Sequence, residues 1–211
     1  MKRLDTERDL AMAVDYLLAV EPRFTQVVER HGLPPLRRCE AGLESLLRIV
    51  TDQLISLRAG EAIWARLKQS LHSVEPETVL ACTQSDLRAL GLSGGKARTF
   101  HAAAQAFRNG RFTAADHEAA ADGDIIRGLL EIPGVGPWTA NIYLMTVVKS
   151  ADAWPAADLA LQRSACDLLS LPGKPSAREM ALLGEAWRPC RSAAALLLWS
   201  HYRGLKGMPQ A

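Results

Sequence analysis

The sequence predicts an all-α protein, and three observations carry that prediction. Apolar residues recur at helical spacing along nearly the whole chain, as at Leu43, Leu46, Leu47, Val50, Leu54 and Leu57. No segment alternates apolar and polar residues long enough to make a half-buried strand. Prolines and glycines interrupt the periodic pattern at intervals of helix length. Taken in order, Pro22 closes the first periodic stretch and Gly32-Leu-Pro-Pro35 the second. The Leu43 to Leu57 stripe follows, Pro76 starts a new segment, and Gly91 to Gly95 opens another. Gly110 and Gly123 break the chain again before the cluster Pro133 to Pro137, and Pro155, Leu171-Pro-Gly-Lys-Pro175 and Pro189 punctuate the remainder. This spacing predicts about ten to twelve helices joined by short loops. No internal repeat or low-complexity stretch is present.

At 211 residues, with 48% hydrophobic and 23% charged residues, the chain can bury one sizeable core or two interlocked subdomains. Its first residues are charged, and the apolar run Ala193 to Trp199 is far too short to span a bilayer, so a cytoplasmic protein without membrane contact is expected. Cys39, Cys82, Cys166 and Cys190 are never closer than 24 positions, which excludes the paired spacing of a zinc site and a compact disulfide framework. The net charge of +2 is too small to announce a nucleic-acid partner. Its distribution is uneven: Asp86 to Arg111 carries five basic residues against one acid, whereas Thr113 to Ile132 carries five acids and one arginine. Such blocks fit a basic binding face or ordinary charged surface helices equally well.

The densest chemistry lies between Leu130 and Asp158. Gly134 and Gly136 permit a tight turn with backbone conformations denied to other residues, and Pro137 suits the first position of the following helix. A helix start of this kind aims amide N–H groups at an anion, and such contacts hold a duplex by its phosphates without reading its sequence. Twenty residues beyond Trp138 comes Asp158, a carboxylate that can return beside the hairpin once the intervening helix has run out.

Ile132-Pro-Gly-Val-Gly-Pro-Trp-Thr-Ala140 together with Asp152-Ala-Trp-Pro-Ala-Ala-Asp-Leu159 resembles the helix-hairpin-helix DNA glycosylases, in particular the alkylation-repair branch of the 3-methyladenine DNA glycosylase II type. Gln53-Leu-Ile-Ser56, Gly91-Leu-Ser-Gly-Gly-Lys96 and Trp187-Arg-Pro-Cys-Arg-Ser192 with Trp199 agree, so the resemblance runs from Arg23 to Tyr202. It implies two helical lobes around a cleft: residues 1–42 with 155–211, and residues 43–154, with the hairpin motif at 125–148. It also implies a monomeric protein that flips an alkylated purine out of double-stranded DNA and hydrolyses its N-glycosidic bond.

Within that resemblance Asp158 is the catalytic carboxylate. As the base departs, the sugar gains oxocarbenium character, and a fixed anion stabilises that charge and orients water. Asp158 also reads as the N-cap of the helix beginning Leu-Ala-Leu-Gln. The two roles are compatible, because amide donors and the helix dipole hold negative charge at that position. Asp152 belongs to the loop. Trp138 stands where the lyase-competent branch carries a Schiff-base lysine, so hydrolysis without strand cleavage is implied. Trp138 and Trp199 resemble base-pocket aromatics, the bland alternative being two core tryptophans. Where relatives often have an aromatic four residues after the tryptophan, this chain has Ile142, while Tyr143 is turned away by about a hundred degrees.

The resemblance places Gln53, Leu54, Gly134, Val135, Gly136 and Thr139 against DNA, with Leu54 as an apolar wedge that could equally be a core leucine. The carbonyls of Leu130, Ile132 and Val135 resemble those that hold a structural Na+ or K+. No cofactor is required, and the four spread cysteines match no iron–sulfur loop. Gly91 to Lys96 is one residue short of a phosphate-binding loop and has Ala97 where such a loop needs Ser or Thr. Two alternatives stay open: a non-catalytic helix-hairpin-helix binder of damaged DNA, and a glycosylase for oxidised or deaminated bases.

Overall fold

The computed structural model describes residues 2–209, with the side chains of residues 114 and 115 outside the description. The all-α expectation holds. In chain order the elements are α1 (Glu7–Val20), a 3-10 turn (Pro22–Phe24), α2 (Thr25–His31), α3 (Leu43–Asp52), α4 (Leu57–Leu71), α5 (Pro76–Ala81), α6 (Gln84–Ala89), α7 (Gly94–Arg108), α8 (Ala114–Ala119), α9 (Asp122–Leu130), α10 (Pro137–Thr146), α11 (Leu159–Leu168), α12 (Ala177–Glu185) and α13 (Arg191–Leu205). The extended pairing among the described residues is one isolated bridge, Arg3 with Ser150.

There are more helices than the breaks predicted, because α5, α6 and α8 are only six residues long. Thr83 with Asp86, and Thr113 with Asp116, form reciprocal capping boxes that start α6 and α8 with polar groups rather than with a new apolar stripe. Gly123 is not a break: α9 begins one residue earlier, and the glycine lies in its first turn. The Leu43 to Leu57 stripe is not continuous either. Leu43, Leu46, Leu47 and Val50 are buried on α3, but the helix ends at Asp52, and α4 restarts at Leu57 behind the Ser56 cap.

The chain divides into two compact units, one formed by Met1–Arg38 with Val148–Ala211 and the other by Cys39–Val147. Residues 148–154 fall in the first unit. There the Leu4 amide donates to Lys149 O, the Ala151 amide to Lys2 O, and Trp154 meets Trp187 edge to face at 5.3 Å between ring centroids. The first unit is built on α13, which is buried from Ser192 to Leu198 and packs against α1, α2 and α11. Three alanines, Ala193 to Ala195, keep that helix thin enough for close approach. Trp187 anchors the core between Phe24 and Trp154, and the Trp154 indole donates to Met180 O at 2.8 Å. Burying each such aromatic contributes about 1.5–3 kcal/mol. The second unit is built on α7, whose Ala97, Phe100, Ala103 and Ala104 are buried among α3, α5 and α6.

Candidate active site

In the second unit, α9 and α10 are joined by the tight turn 131–136. The Ile132 amide donates to Leu129 O at 3.1 Å and the Val135 amide to Ile132 O at 3.0 Å, which closes the turn on itself. Ile132 and Val135 are buried beneath it, while Leu130 is 42% exposed. Gly134 sits at φ +88°, and a Cβ there would collide with Thr99 Oγ1 of α7, so this position requires glycine twice over. Gly136 does not share that requirement, contrary to the expectation for both glycines. Its φ of −100° and ψ of 178° are open to any residue, and a Cβ would have nothing within 4 Å. What glycine provides at position 136 is bareness: it is the N-cap of α10 and offers no side chain to cap the helix, and Pro137 occupies the first turn. An uncapped helix start facing open space suits an anion.

The residues around the turn hold one another. Gln53, just past the end of α3, donates from Nε2 to Thr139 Oγ1 at 2.7 Å and to Gly134 O at 3.3 Å. Thr139 is 1% exposed, so its hydroxyl braces the hairpin from inside and does not face solvent. Trp138 and Ile142 are half-buried on one face of α10. Tyr143 points away, as its position around the helix predicts; it is buried with its ring 5.5 Å from that of His117, and burial pushes its phenol far above the usual range. Leu54 is 95% exposed and holds φ +56°, which rules out the core-leucine reading and leaves a bare apolar side chain on a strained backbone.

The first unit contributes Asp158. It is the N-cap of α11, and its Oδ1 accepts from the amides of Ala160 (2.9 Å) and Leu161 (3.0 Å). Trp199 of α13 adds a third donor, its indole Nε1 lying 3.2 Å from the same oxygen. The structure therefore joins Trp199 to Asp158 directly, and it also sets the Arg37 guanidinium 5.9 Å from the Trp199 ring centroid. Asp158 is only 9% exposed. The loop leading to it is pinned to the start of α13. Arg191 donates to Asp152 Oδ1 at 2.8 Å and to Asp152 O at 2.9 Å, Arg188 also pairs with Asp152, and Ser192 exchanges two hydrogen bonds with Ala153. Asp152 is thus a loop fastener, as the sequence suggested. Arg37, Arg191 and Thr99 escaped sequence reasoning because their roles depend on partners remote along the chain.

Chemically, Asp158 is a carboxylate with one oxygen fixed by three N–H donors, a rigid negative charge able to stabilise a developing cation. Trp138 and Asp158 belong to different compact units. A glycine turn that ends one helix and opens the next on a bare cap defines the helix-hairpin-helix class, here carried in an all-α chain with a helix-capping aspartate. More narrowly, the chain belongs to the HhH-GPD superfamily of base excision DNA repair proteins, whose sequence pattern matches residues 47–189.

Over 184 residues the chain is 32% identical to Bacillus subtilis YfjP, which covers 83% of this chain and 64% of that protein's length. It is 29% identical over 160 residues to DNA-3-methyladenine glycosylase 1 of Schizosaccharomyces pombe, covering 74% of this chain and 70% of that one. Among solved structures, a Schizosaccharomyces pombe 3-methyladenine DNA glycosylase in complex with abasic DNA superposes with a TM-score of 0.83 at 26% identity, covering 92% of this chain and 97% of that chain. No helix of the described residues is long and apolar enough to cross a membrane.

Proposed function

We propose that this protein is a monofunctional DNA glycosylase that extrudes alkylated purines, 3-methyladenine and 7-methylguanine, from double-stranded DNA and hydrolyses the N-glycosidic bond. The observation that carries the reading is Asp158: a nearly buried carboxylate whose Oδ1 is held by two helix amides and an indole. The names of the similar glycosylases support the same substrate class.

In this reading the bare start of α10 grips phosphates through backbone amides, Gly134 and Gly136 keeping the approach clear while buried Val135 and Thr139 brace the turn from inside. Gln53 braces that hairpin, and Leu54 fills the space left by the extruded nucleotide. Trp138 and Ile142 offer a wall to the extruded base, and Trp199 supports Asp158. The bond from C1′ to the base nitrogen breaks with its electron pair leaving on the cationic purine, which becomes neutral. Water then adds to the oxocarbenium carbon and loses a proton, leaving an abasic sugar. An alkylated base is already a good leaving group, so a fixed negative charge suffices and no metal or cofactor takes part. The carbonyls of Leu130, Ile132 and Val135 would offer a structural Na+ or K+ uncharged oxygen ligands, the donor chemistry that such an ion takes. Ile132 O already accepts the Val135 amide and keeps a second lone pair for such an ion. The protein acts as a cytoplasmic monomer.

Incubation with methylated duplex DNA followed by chromatography of the released bases tests the reading. Free 3-methyladenine and 7-methylguanine are expected. DNA binding without any base release would mark a damage binder instead, and release confined to oxidised or deaminated bases would move the protein to another substrate class. Because Trp138 has no amine, borohydride added during turnover should trap no protein–DNA adduct, and a covalent band on a denaturing gel would contradict hydrolysis as the sole activity. Trp138→Ala should slow release of the two cationic bases by about 10–100-fold in single-turnover assays, since base–aromatic stacking contributes about 1–3 kcal/mol and cation–π attraction adds to it. Hypoxanthine, which is neutral, should be slowed less; equal slowing of all three would make Trp138 a packing residue.

A further inference from the structure

The exposed Leu54 needs something to hold it. A helix end leaves its last carbonyls without intrahelical partners, and α3 ends just before this residue. Two of those carbonyls are taken by one side chain: Lys96 Nζ donates to Thr51 O at 2.8 Å and to Gln53 O at 2.7 Å. Lys96 stands in the first turn of α7, a helix start fixed by the Ser93 cap, so the ammonium is presented from a rigid base. It clasps the chain on both sides of Asp52, where the backbone leaves the helix and swings Leu54 to φ +56°. Burial pushes the Lys96 ammonium below its usual range, and the nearby Asp52 carboxylate opposes that shift.

The same face of α7 also supports the hairpin. Thr99, three residues beyond Lys96, fills the space that a side chain at Gly134 would need. Gln53 completes the triangle: its backbone carbonyl is held by Lys96, while its side-chain amide donates to Gly134 O and Thr139 Oγ1. We propose that Lys96 is a positioning residue that holds Leu54 outward for insertion into the duplex, and that Gln53 locks this turn to the hairpin so that wedge and phosphate grip engage DNA as one rigid body. The inference rests on reading the partner as duplex DNA.

The test reads insertion without requiring base release. A duplex carrying a tetrahydrofuran abasic analogue opposite 2-aminopurine is titrated with wild type, Leu54→Ala, Lys96→Met and the double variant, and both fluorescence change and dissociation constant are recorded. Each single variant should lose most of the 2-aminopurine signal and bind about tenfold more weakly, as expected when charge-assisted hydrogen bonds or the group they position are removed. The double variant should be no weaker than Leu54→Ala alone, because Lys96 acts through that residue. A double variant weakened by the product of the single effects would overturn the proposal, and so would a Leu54→Ala variant with the wild-type signal.

Should Lys96→Met fail to melt cooperatively, Lys96→Arg serves in its place. It keeps the charge but cannot reproduce a compact ammonium between two carbonyls, so it should show a partial loss of signal that disappears in the Leu54→Ala background. Wild-type insertion without release of methylated bases would defeat the enzymatic reading alone. Base release with independent, multiplicative effects at the two positions would defeat this one alone.

Discussion

Asp158→Asn is expected to lower single-turnover release of 7-methylguanine by about 10²–10³-fold, the range seen when one preorganised electrostatic group is removed from an active site. Binding to abasic duplex DNA should stay at the wild-type level. The geometry makes this variant clean. Asparagine keeps an oxygen acceptor for the amides of Ala160 and Leu161 and for the Trp199 indole, and it is as good an N-cap as aspartate. The melting temperature should therefore hold, and the loss can be assigned to charge. Asp158→Ala removes the cap as well and should cost about 0.5–2 kcal/mol of stability. If Asp158→Asn excises at the wild-type rate, the carboxylate is a cap and nothing more.

The second large effect concerns the hairpin. Gly134→Ala should destabilise the protein by about 2–5 kcal/mol, combining the left-handed backbone penalty with overpacking against Thr99. In a chain of this size that corresponds to a melting temperature lower by roughly 5–15 °C. Gly136→Ala, only two residues away, should cost no more than about 1 kcal/mol, the loss expected for a poorer N-cap, because φ is ordinary there and the space is open. The contrast supplies an electrostatic probe that Gly134 cannot: Gly136→Asp should weaken binding to damaged and undamaged duplexes alike while leaving folding intact. Thr99→Ala combined with Gly134→Ala should recover the overpacking part of the loss and leave the backbone part. A Gly134→Ala protein as stable as wild type would show that the turn can shift without cost.

Where a signal was local, the sequence already displayed it. The hairpin was legible from Gly134 and Pro137, and the cap at Asp158 from the residue types on either side of it. That Tyr143 turns away from the face of Trp138 followed from its angle on α10. Gly136 misled because composition shows a glycine but not whether its φ is positive. Leu54 misled because apolar spacing continues through a place where α3 stops. The Lys96 ammonium that binds the carbonyls at that end lies 45 residues from one of its acceptors and 43 from the other. The Arg191 clasp on Asp152 and the indole donated by Trp199 were hidden for the same reason. Periodicity reports what an element buries, whereas the working geometry here depends on single long-range polar contacts.

The position of α13 also sets an order of events during synthesis. The unit Cys39–Val147 is one continuous stretch and has all of its own sequence as soon as that stretch leaves the ribosome, so it can fold early. The other unit cannot: α1 and α2 emerge first, but the helix they pack against runs to Leu205. Until then their apolar faces lack a partner, and Asp158 lacks the Trp199 donor. A nascent chain arrested near Val147 should therefore carry a finished hairpin and Leu54 turn, whereas the carboxylate reaches its final setting only when the helix bearing Trp199 has emerged.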